Sequence, residues 1–290
     1  MRTIAILGGR GFLGKPIADQ FSSAGWKVER LSRTKARGSD DCVGYADIFD
    51  EVSLIEMLSS LKPDVVLSTA WDTDHGKFWT SELNEAYLHA TLRFARLCFE
   101  YNVDVFVGLG TMSEYGSSPG VCNAVETPLI PSDIYSKSKI ETGLKLRDLG
   151  EKYGKQVHWA RIFQAFGPNE KTERFVPSLI SALRRNNQFS IRTPSYEMDW
   201  IHTSEVASAV FYMVEHSLDH FIDIGTGTAT SVKELSYLIC SELNLDESLL
   251  DFSEQVPGHE KKVVVSQSSQ LLAHGWRPNE SLRDRIRSLS

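Results

Sequence analysis

Cysteine is scarce in this chain. Four of 290 residues, Cys42, Cys98, Cys122 and Cys240, are scattered with no C-x-x-C pair and no metal-ligand spacing. That excludes a disulfide scaffold and a thiolate metal centre, and it fits reduced thiols in a cytoplasmic protein. No run of eighteen apolar residues is present, so no membrane-spanning helix is expected. The first residues enter a strand at once, where a signal peptide would carry a longer hydrophobic stretch. Positive charge is in deficit too. A net charge of −7 leaves no basic footprint for nucleic acid or an anionic membrane. Repeats and low-complexity segments are absent. The rest is ordinary, 41% hydrophobic and 24% charged. Such a chain suits one large domain, or a nucleotide-binding domain with a smaller lobe.

The most informative stretch is the first fourteen residues, M-R-T-I-A-I-L-G-G-R-G-F-L-G. An apolar run, Ile4-Ala5-Ile6-Leu7, stops at Gly8, and glycines recur at Gly11 and Gly14 before a helical pattern begins. A strand, a tight glycine turn and a helix start together seat a dinucleotide pyrophosphate on a helix N-terminus. Gly8 permits the sharp turn, Gly11 lets backbone N–H groups approach the phosphates, and Gly14 lets helix and strand pack closely. With 20 glycines in the chain, this spacing arises by chance in about 0.1 copies, and its place after a strand makes it rarer.

Strand and helix patterns then alternate. Helical spacing covers Lys15–Ala24, Val52–Leu61, Ser81–Tyr101 and Ile134–Tyr153. Strand patterns cover Lys27–Leu31, Cys42–Tyr45, Val65–Leu67, Val103–Leu109 and Val157–Phe163. The alternation implies a doubly wound parallel α/β sheet. After Gly167-Pro168 the pattern changes: 169–185 is charged and then helical, Ser204–Glu215 has core-type spacing, and Phe221–Ile224 is a short strand. The last sixty-odd residues read as helical and polar. The expected division is a dinucleotide-binding domain over 1–167, with 200–224 returning to it. A smaller, mostly helical substrate lobe comes from 168–199 and 225–290. Chemistry is expected at the C-terminal ends of the strands, between the lobes.

Tyr135-Ser136-Lys137-Ser138-Lys139 places Tyr135 and Lys139 four apart on one helix face. An ammonium beside a phenol favours phenolate and pulls the tyrosine down toward working pH. Such a tyrosine can protonate a carbonyl oxygen or deprotonate an alcohol. The pair is weak evidence alone; its position, about 25 residues after a strand ending in Leu109-Gly110-Thr111, strengthens it.

Other segments carry a resemblance. They include Pro63-Asp64-Val65-Val66-Leu67 with Ala70, Asn84, Thr111-Met112-Ser113-Glu114-Tyr115-Gly116, Glu126–Pro131, Arg161–Pro168, Asp199-Trp200-Ile201-His202 and Gly275-Trp276-Arg277-Pro278. In this order the chain resembles the extended short-chain dehydrogenase/reductases along nearly its whole length. Within them it is similar to the nucleotide-sugar epimerase/dehydratase/reductase group, which implies a Rossmann sheet.

The resemblance implies a catalytic set of Thr111, Tyr135 and Lys139. In it Thr111 bonds the substrate oxygen, Tyr135 is the acid/base, and Lys139 lowers that tyrosine's pKa while holding the nicotinamide ribose. It implies cofactor contacts at Gly8, Arg10, Gly11, Phe12, Leu13, Gly14, Ser32, Arg33, Asp47, Ile48, Ala70 and Lys139. Substrate contacts fall at His75, Thr111, Met112, Ser113, Tyr135, Gln164, Arg174 and Arg192. No metal is implied. Asn84 is the expected buttress of the site, and Trp71 and Trp79 either wall the pocket or pack the core.

Departures narrow the activity. Sugar 4,6-dehydratases carry Thr-Asp-Glu, the acids that eliminate water, and here Met112-Ser113 replace both; Glu114 comes one place late. Gln164 replaces the usual Asn, and Met198 stands where relatives carry a substrate-phosphate arginine, so Arg174 and Arg192 become candidate replacements. NAD enzymes place an acid about twenty residues past the glycine turn, on the ribose 2′-OH. The second strand here ends Leu31-Ser32-Arg33, which removes repulsion of a 2′-phosphate and offers it a guanidinium. Arg10 points to the same pocket and Arg37 is a weaker candidate, so NADPH is the expected cofactor.

The expected activity is NADPH-dependent reduction of a keto group, at C4, of a nucleoside-diphosphate keto-deoxysugar. The alternatives are a 4-epimerase with tightly bound NAD and a cofactor-sensing regulator without catalysis. A homodimer is expected through Ser81–Tyr101 and Ile134–Tyr153, from Leu88, Leu92, Phe99, Leu144 and Leu146.

Overall fold

The computed structural model describes residues 1–34, 43–74, 76–117, 119–252, 262–267 and 269–289. Arg37, Cys42 and His75, named above, lie outside them. The first half runs β1 (Thr3–Leu7), α1 (Gly14–Ser23), β2 (Lys27–Ser32), β3 (Val43–Tyr45), α2 (Glu51–Leu61), β4 (Val65–Ser68), α3 (Leu83–Glu100) and β5 (Val105–Thr111). A 3-10 turn (Met112–Tyr115), β6 (Gly120–Cys122), α4 (Ile134–Tyr153), β7 (Gln156–Ile162), β8 (Gln164–Phe166) and α5 (Phe175–Arg184) follow. Then come β9 (Phe189–Ser190), β10 (Glu197–His202), α6 (Thr203–Glu215), β11 (Phe221–Ile224), β12 (Ala229–Ser231) and α7 (Val232–Leu243). The remainder holds β13 (Leu250–Asp251), β14 (Val263–Ser266), α8 (Ser269–Ala273) and α9 (Leu282–Arg287).

Seven strands form one parallel sheet in the order β11-β7-β5-β4-β1-β2-β3. The chain winds outward from β1 to β3, then returns to β4 and winds the other way. The reversal lies between β1 and β4, and their carboxyl ends open the crevice where such sheets take a ligand. Side chains alternate along each strand. Ile4 and Ile6 pack with Ile17 and Phe21 of α1 and Val210 and Met213 of α6. Ala5 and Leu7 face the opposite layer, Leu54 of α2, Phe94 and Cys98 of α3 and Leu146 of α4. Each fully buried Ile, Leu or Phe contributes about 1.5–3 kcal/mol, so both layers hold the sheet.

A second sheet, β12-β10-β14-β6 with β8 beside β10, joins the C-terminal elements to the main body. Its presence corrects the helical reading of the last sixty-odd residues. β12, β13 and β14 interrupt α7, α8 and α9. The dimer argument also needs correction. Leu88 (3% exposed), Phe99 (4%) and Leu146 (0%) lie inside this chain's own core, whereas Leu144 is 37% exposed.

Candidate active site

The glycine turn meets its physical demands. Gly8 has φ +82°, and a Cβ there would lie 2.2 Å from Thr69 Oγ1. A Cβ on Gly14 would lie 2.1 Å from the Gly8 carbonyl oxygen. The Gly11 N–H donates to that same oxygen at 2.8 Å. Helix α1 then begins with no side-chain cap on its N-terminus and no acid in its first turn. Its open N–H groups and positive dipole end suit a phosphate. Arg10 and Gly11 are exposed at this turn, whereas Phe12 and Leu13 are half-buried against the α1 core layer.

Strand register brings the other cofactor candidates to the same edge. Leu7 pairs with Leu31 and with Ser68, so Gly8, Ser32 and the residues before Ala70 end neighbouring strands. Ser32 Oγ is tied to Thr34 Oγ1 at 3.1 Å, and Arg33 is exposed. Arg33 and Asp47 both act on the Tyr87 phenol of α3, whose titration is raised chiefly by burial. Asp47 turns the chain after β3 by accepting the Phe49 N–H at 3.0 Å. Ile48 is buried, its carbonyl taken by Arg93 at 3.0 Å.

Thr111 ends β5, and Asp133 caps α4 so that Tyr135 and Lys139 share one face of its first turns. Tyr135 is 8% exposed and Lys139 6%. Aromatic rings box the phenol edge-on, Phe78 at 4.8 Å and Trp79 at 5.4 Å between centroids. Trp71 lies under the ammonium, 3.7 Å from Lys139 Nζ. Asn84 buttresses that ring, accepting Trp71 Nε1–H at 2.8 Å and donating to the Phe78 carbonyl at 2.7 Å. Trp71 and Trp79 therefore wall the site.

Lys139 Nζ donates to the Leu109 carbonyl at 2.9 Å and sits 5.8 Å from the Tyr135 ring centroid. Burial drives Lys139 down to about 7, opposed by Glu114. Burial pushes Tyr135 well above its ordinary value, and the Thr111 side chain pulls the other way. The expectation that Lys139 lowers the phenol needs correction. In this structure desolvation dominates, and the ammonium is turned to Leu109 and Trp71.

Glu114, by contrast, is wholly enclosed. Its Oε1 accepts the Thr111 N–H at 3.0 Å and Trp159 Nε1–H at 3.1 Å, and its Oε2 accepts Arg161 Nε–H at 2.7 Å. Arg161 Nη1 also donates to the Tyr115 hydroxyl at 3.2 Å, which donates to Asp223 at 2.7 Å. Burial pushes Asp223 up to about 7. Sequence reasoning missed this network. Its charges lie 47 residues apart, beyond any periodicity. Met112 and Ser113 are half-buried, Met112 against Tyr115 and Phe163.

On the substrate side, Gln164 is half-buried on β8 opposite Trp200 of β10. Met198 packs its side chain against the cluster that holds Phe166, Trp200 and Leu235. Arg174 precedes α5, 3.6 Å from Glu170, and its charge acts on Tyr135. Arg174 thus lies near enough to Tyr135 for its charge to be felt there. Arg192 sits exposed between β9 and β10. Two cavities, one between Glu170, Ile180 and Leu289 and one between Trp200, Glu205 and Arg285, lie away from the triad. Among the described residues no group of three His, Cys, Asp or Glu is placed to hold a metal ion. No helix among them is long and apolar enough to cross a membrane.

A family model described as "NAD dependent epimerase/dehydratase family" matches residues 4–225. The UDP-glucose 4-epimerase of Rhizobium meliloti is 24% identical, over 96% of this chain and 93% of its own length. The dTDP-6-deoxy-L-talose 4-dehydrogenase (NAD(P)(+)) of Kitasatospora kifunensis is 22% identical, over 99% and 94%. Among solved structures, dTDP-glucose 4,6-dehydratase from Bacillus anthracis in complex with NAD superposes with a TM-score of 0.83. It is 17% identical, over 99% of this chain and 95% of that one. The superposition shows a shared fold.

Proposed function

This chain belongs to the NAD dependent epimerase/dehydratase family, and within it we propose a ketoreductase that uses NADPH to reduce the C4 ketone of a nucleoside-diphosphate 4-keto-6-deoxyhexose. The observation that carries this reading is the make-up of the catalytic turn. Thr111, Tyr135 and Lys139 stand together, while the turn's only carboxylate, Glu114, has both oxygens bound. A carbonyl–alcohol interconversion needs the first set; elimination of water needs a free acid and base beside it.

The residues fit a dinucleotide. The uncapped start of α1 suits its pyrophosphate, and Arg10, Ser32 and Arg33 suit a 2′-phosphate. A reduced nicotinamide bound there would supply hydride to the carbonyl carbon. Tyr135, kept as a phenol by burial, gives its proton to the carbonyl oxygen. Thr111 donates a hydrogen bond to that oxygen as negative charge grows on it. Lys139 holds positive charge beneath the reacting edge. Arg174 offers a guanidinium to the substrate diphosphate in place of the arginine missing at Met198.

We place the substrate between a unit of residues 1–167 with 200–224 and a lobe of 168–199 with 225–290. The return of β11 to the main sheet supports that division, although β10 straddles it. A cytoplasmic homodimer completes the reading. The buried free thiols Cys98, Cys122 and Cys240 suit a reducing compartment. Leu83, Tyr101 and Leu144 leave apolar surface on or beside α3 and α4; light scattering that finds a monomer at micromolar concentration removes the dimer.

The test of the reaction is incubation with NADPH and GDP-, dTDP-, CDP- and UDP-linked 4-keto sugars, following NADPH absorbance. Stoichiometric oxidation with one sugar is expected. Sugar interconversion without net cofactor use would make the protein an epimerase, and silence across the panel would remove the substrate class.

A further inference from the structure

Glu114 stands at the third position of a capping box on the Met112–Tyr115 turn, with Thr111 as the cap. Glutamine serves in that motif as well as glutamate, and it would spare the chain a buried charge. The carboxylate here is 0% exposed and needs Arg161, 2.7 Å away and 2% exposed, to be tolerated. Burying such a pair gives little stability beyond what uncharged groups would give. The charge therefore calls for another use.

We propose that Glu114 is a positioning residue of the catalytic centre, pinning the Thr111 backbone and supplying the negative charge that keeps Lys139 an ammonium. Three contacts support this. The Thr111 N–H ends on Glu114 Oε1, which fixes where the Thr111 hydroxyl starts. Lys139 Nζ bonds Leu109, two residues before Thr111, on the same strand end. Trp159 bridges the two charges. Its ring lies 5.6 Å from Lys139 Nζ, and its Nε1–H bonds Glu114. Glycine makes the bridge possible, since a Cβ on Gly110 would lie 2.5 Å from both Glu114 Oε1 and Trp159 Nε1.

The electrostatics act in one direction. Burial lowers Lys139 and Glu114 opposes it; burial raises Tyr135 and Glu114 adds to it. A negative charge in this place favours the protonated form of both, the state that gives a proton to a ketone. Other charged or titratable groups among the described residues also stand near the pair. Tyr135 lies one turn back from Lys139, Arg161 lies beyond Glu114 with Tyr115 and Asp223 behind it, and Asp133 and Arg174 act on Tyr135. The part of Glu114 in turnover rests on the ketoreductase reading, whereas its effect on Lys139 exists with no substrate present.

The experiment follows Lys139 directly, by NMR titration of ligand-free protein carrying lysine labelled with carbon-13 at Cε. Its signal is identified as the one lost in Lys139→Met. In Glu114→Gln the Lys139 midpoint should fall by about 1 pH unit below that of the wild type, the effect of removing a nearby opposite charge. Because that variant strands the Arg161 guanidinium, Glu114→Gln/Arg161→Gln is titrated beside it and should show a smaller fall in the same direction, since losing the Arg161 charge raises Lys139 in turn. A midpoint that stays or rises in the folded variants overturns the proposal. In keto-sugar reduction Glu114→Gln should lower kcat about tenfold with substrate KM unchanged. A fallen midpoint with full kcat overturns the catalytic role. A fallen midpoint in a protein whose wild type reduces no keto sugar removes the ketoreductase reading and leaves the charge assignment standing.

Discussion

A Cβ on Gly14 would lie 2.1 Å from the carbonyl oxygen of Gly8 and 3.0 Å from the Cα of Gly9. Backbone meets backbone there, with no flexible side chain to give way. Gly14→Ala should therefore push α1 off the turn, costing about 1–3 kcal/mol of stability through overpacking. It should also weaken NADPH binding at least tenfold, because the helix N-terminus no longer points at the phosphate. Thermal melting and fluorescence titration with NADPH check both effects; a variant with wild-type affinity would show that the turn does not seat the cofactor.

Tyr135→Phe keeps the ring in its box of Phe78, Trp71 and Trp79 and removes the proton. Turnover should drop by about 10²–10⁴-fold while NADPH affinity stays near wild type. Thr111→Ala should do less, losing one hydrogen bond to the growing oxyanion. A Tyr135→Phe enzyme within a few-fold of wild type sinks the mechanism.

NADPH should be preferred to NADH. Ser32 leaves no carboxylate to repel a 2′-phosphate, and Arg33 is exposed at the end of β2. A charge-assisted hydrogen bond contributes about 1.5–3 kcal/mol. Arg33→Ala should thus raise the NADPH KM about tenfold or more and leave the NADH KM unchanged. Equal KM values for NADPH in wild type and variant would remove Arg33 from the pocket.

His158 gives a pH signature. It is fully buried on β7, its Nε2 has no partner among the described residues, and burial drives it down to about 4. A free histidine titrates near 6.5. Between those values the unfolded chain binds a proton that the folded chain refuses, so this residue's contribution is lost as pH falls from about 6.5 toward 4. From pH 7 to 5 the loss amounts to about 2 kcal/mol. His158→Phe should flatten that limb in urea unfolding; an equally steep limb in the variant means that other groups set it.

Legibility in the sequence followed the strength of local signals. Helix α4 was bounded at Ile134 and Tyr153 because Asp133 caps one end and Gly154, at φ +62°, closes the other. Strand β11 likewise stood out between polar residues. The strands β6, β8 and β9 are only two or three residues long, too short to show a period of two. Strand β14, Val263-Val264-Val265-Ser266, lies in a polar stretch and gains its identity from β10 and β6 on either side. At the site, Tyr135 and Lys139 were readable from their spacing, and Thr111 from the resemblance. Their protonation was not, because burial outweighs the neighbour that spacing suggested. Leu88, Phe99 and Leu146 were read as an outer stripe, yet α3 and α4 pack on β-strands and on each other, which buries them from this chain's own side.

The return of β11 to the edge of β7 bears on how the protein can be made. Everything that spacing revealed about chemistry precedes Pro168, yet β7 has no outer neighbour until Phe221–Ile224 pairs with Trp159–Ile162. A nascent chain halted before that point would display an apolar strand with a row of unsatisfied N–H and C=O groups, a template for pairing with other chains. It would also strand Arg161 and Tyr115 without Asp223. An expressed fragment of residues 1–167 would hold the glycine turn and the triad and should still gather into aggregates. The half that carries the triad should stay soluble only once the ribosome has delivered β11, a strand that holds none of the triad itself.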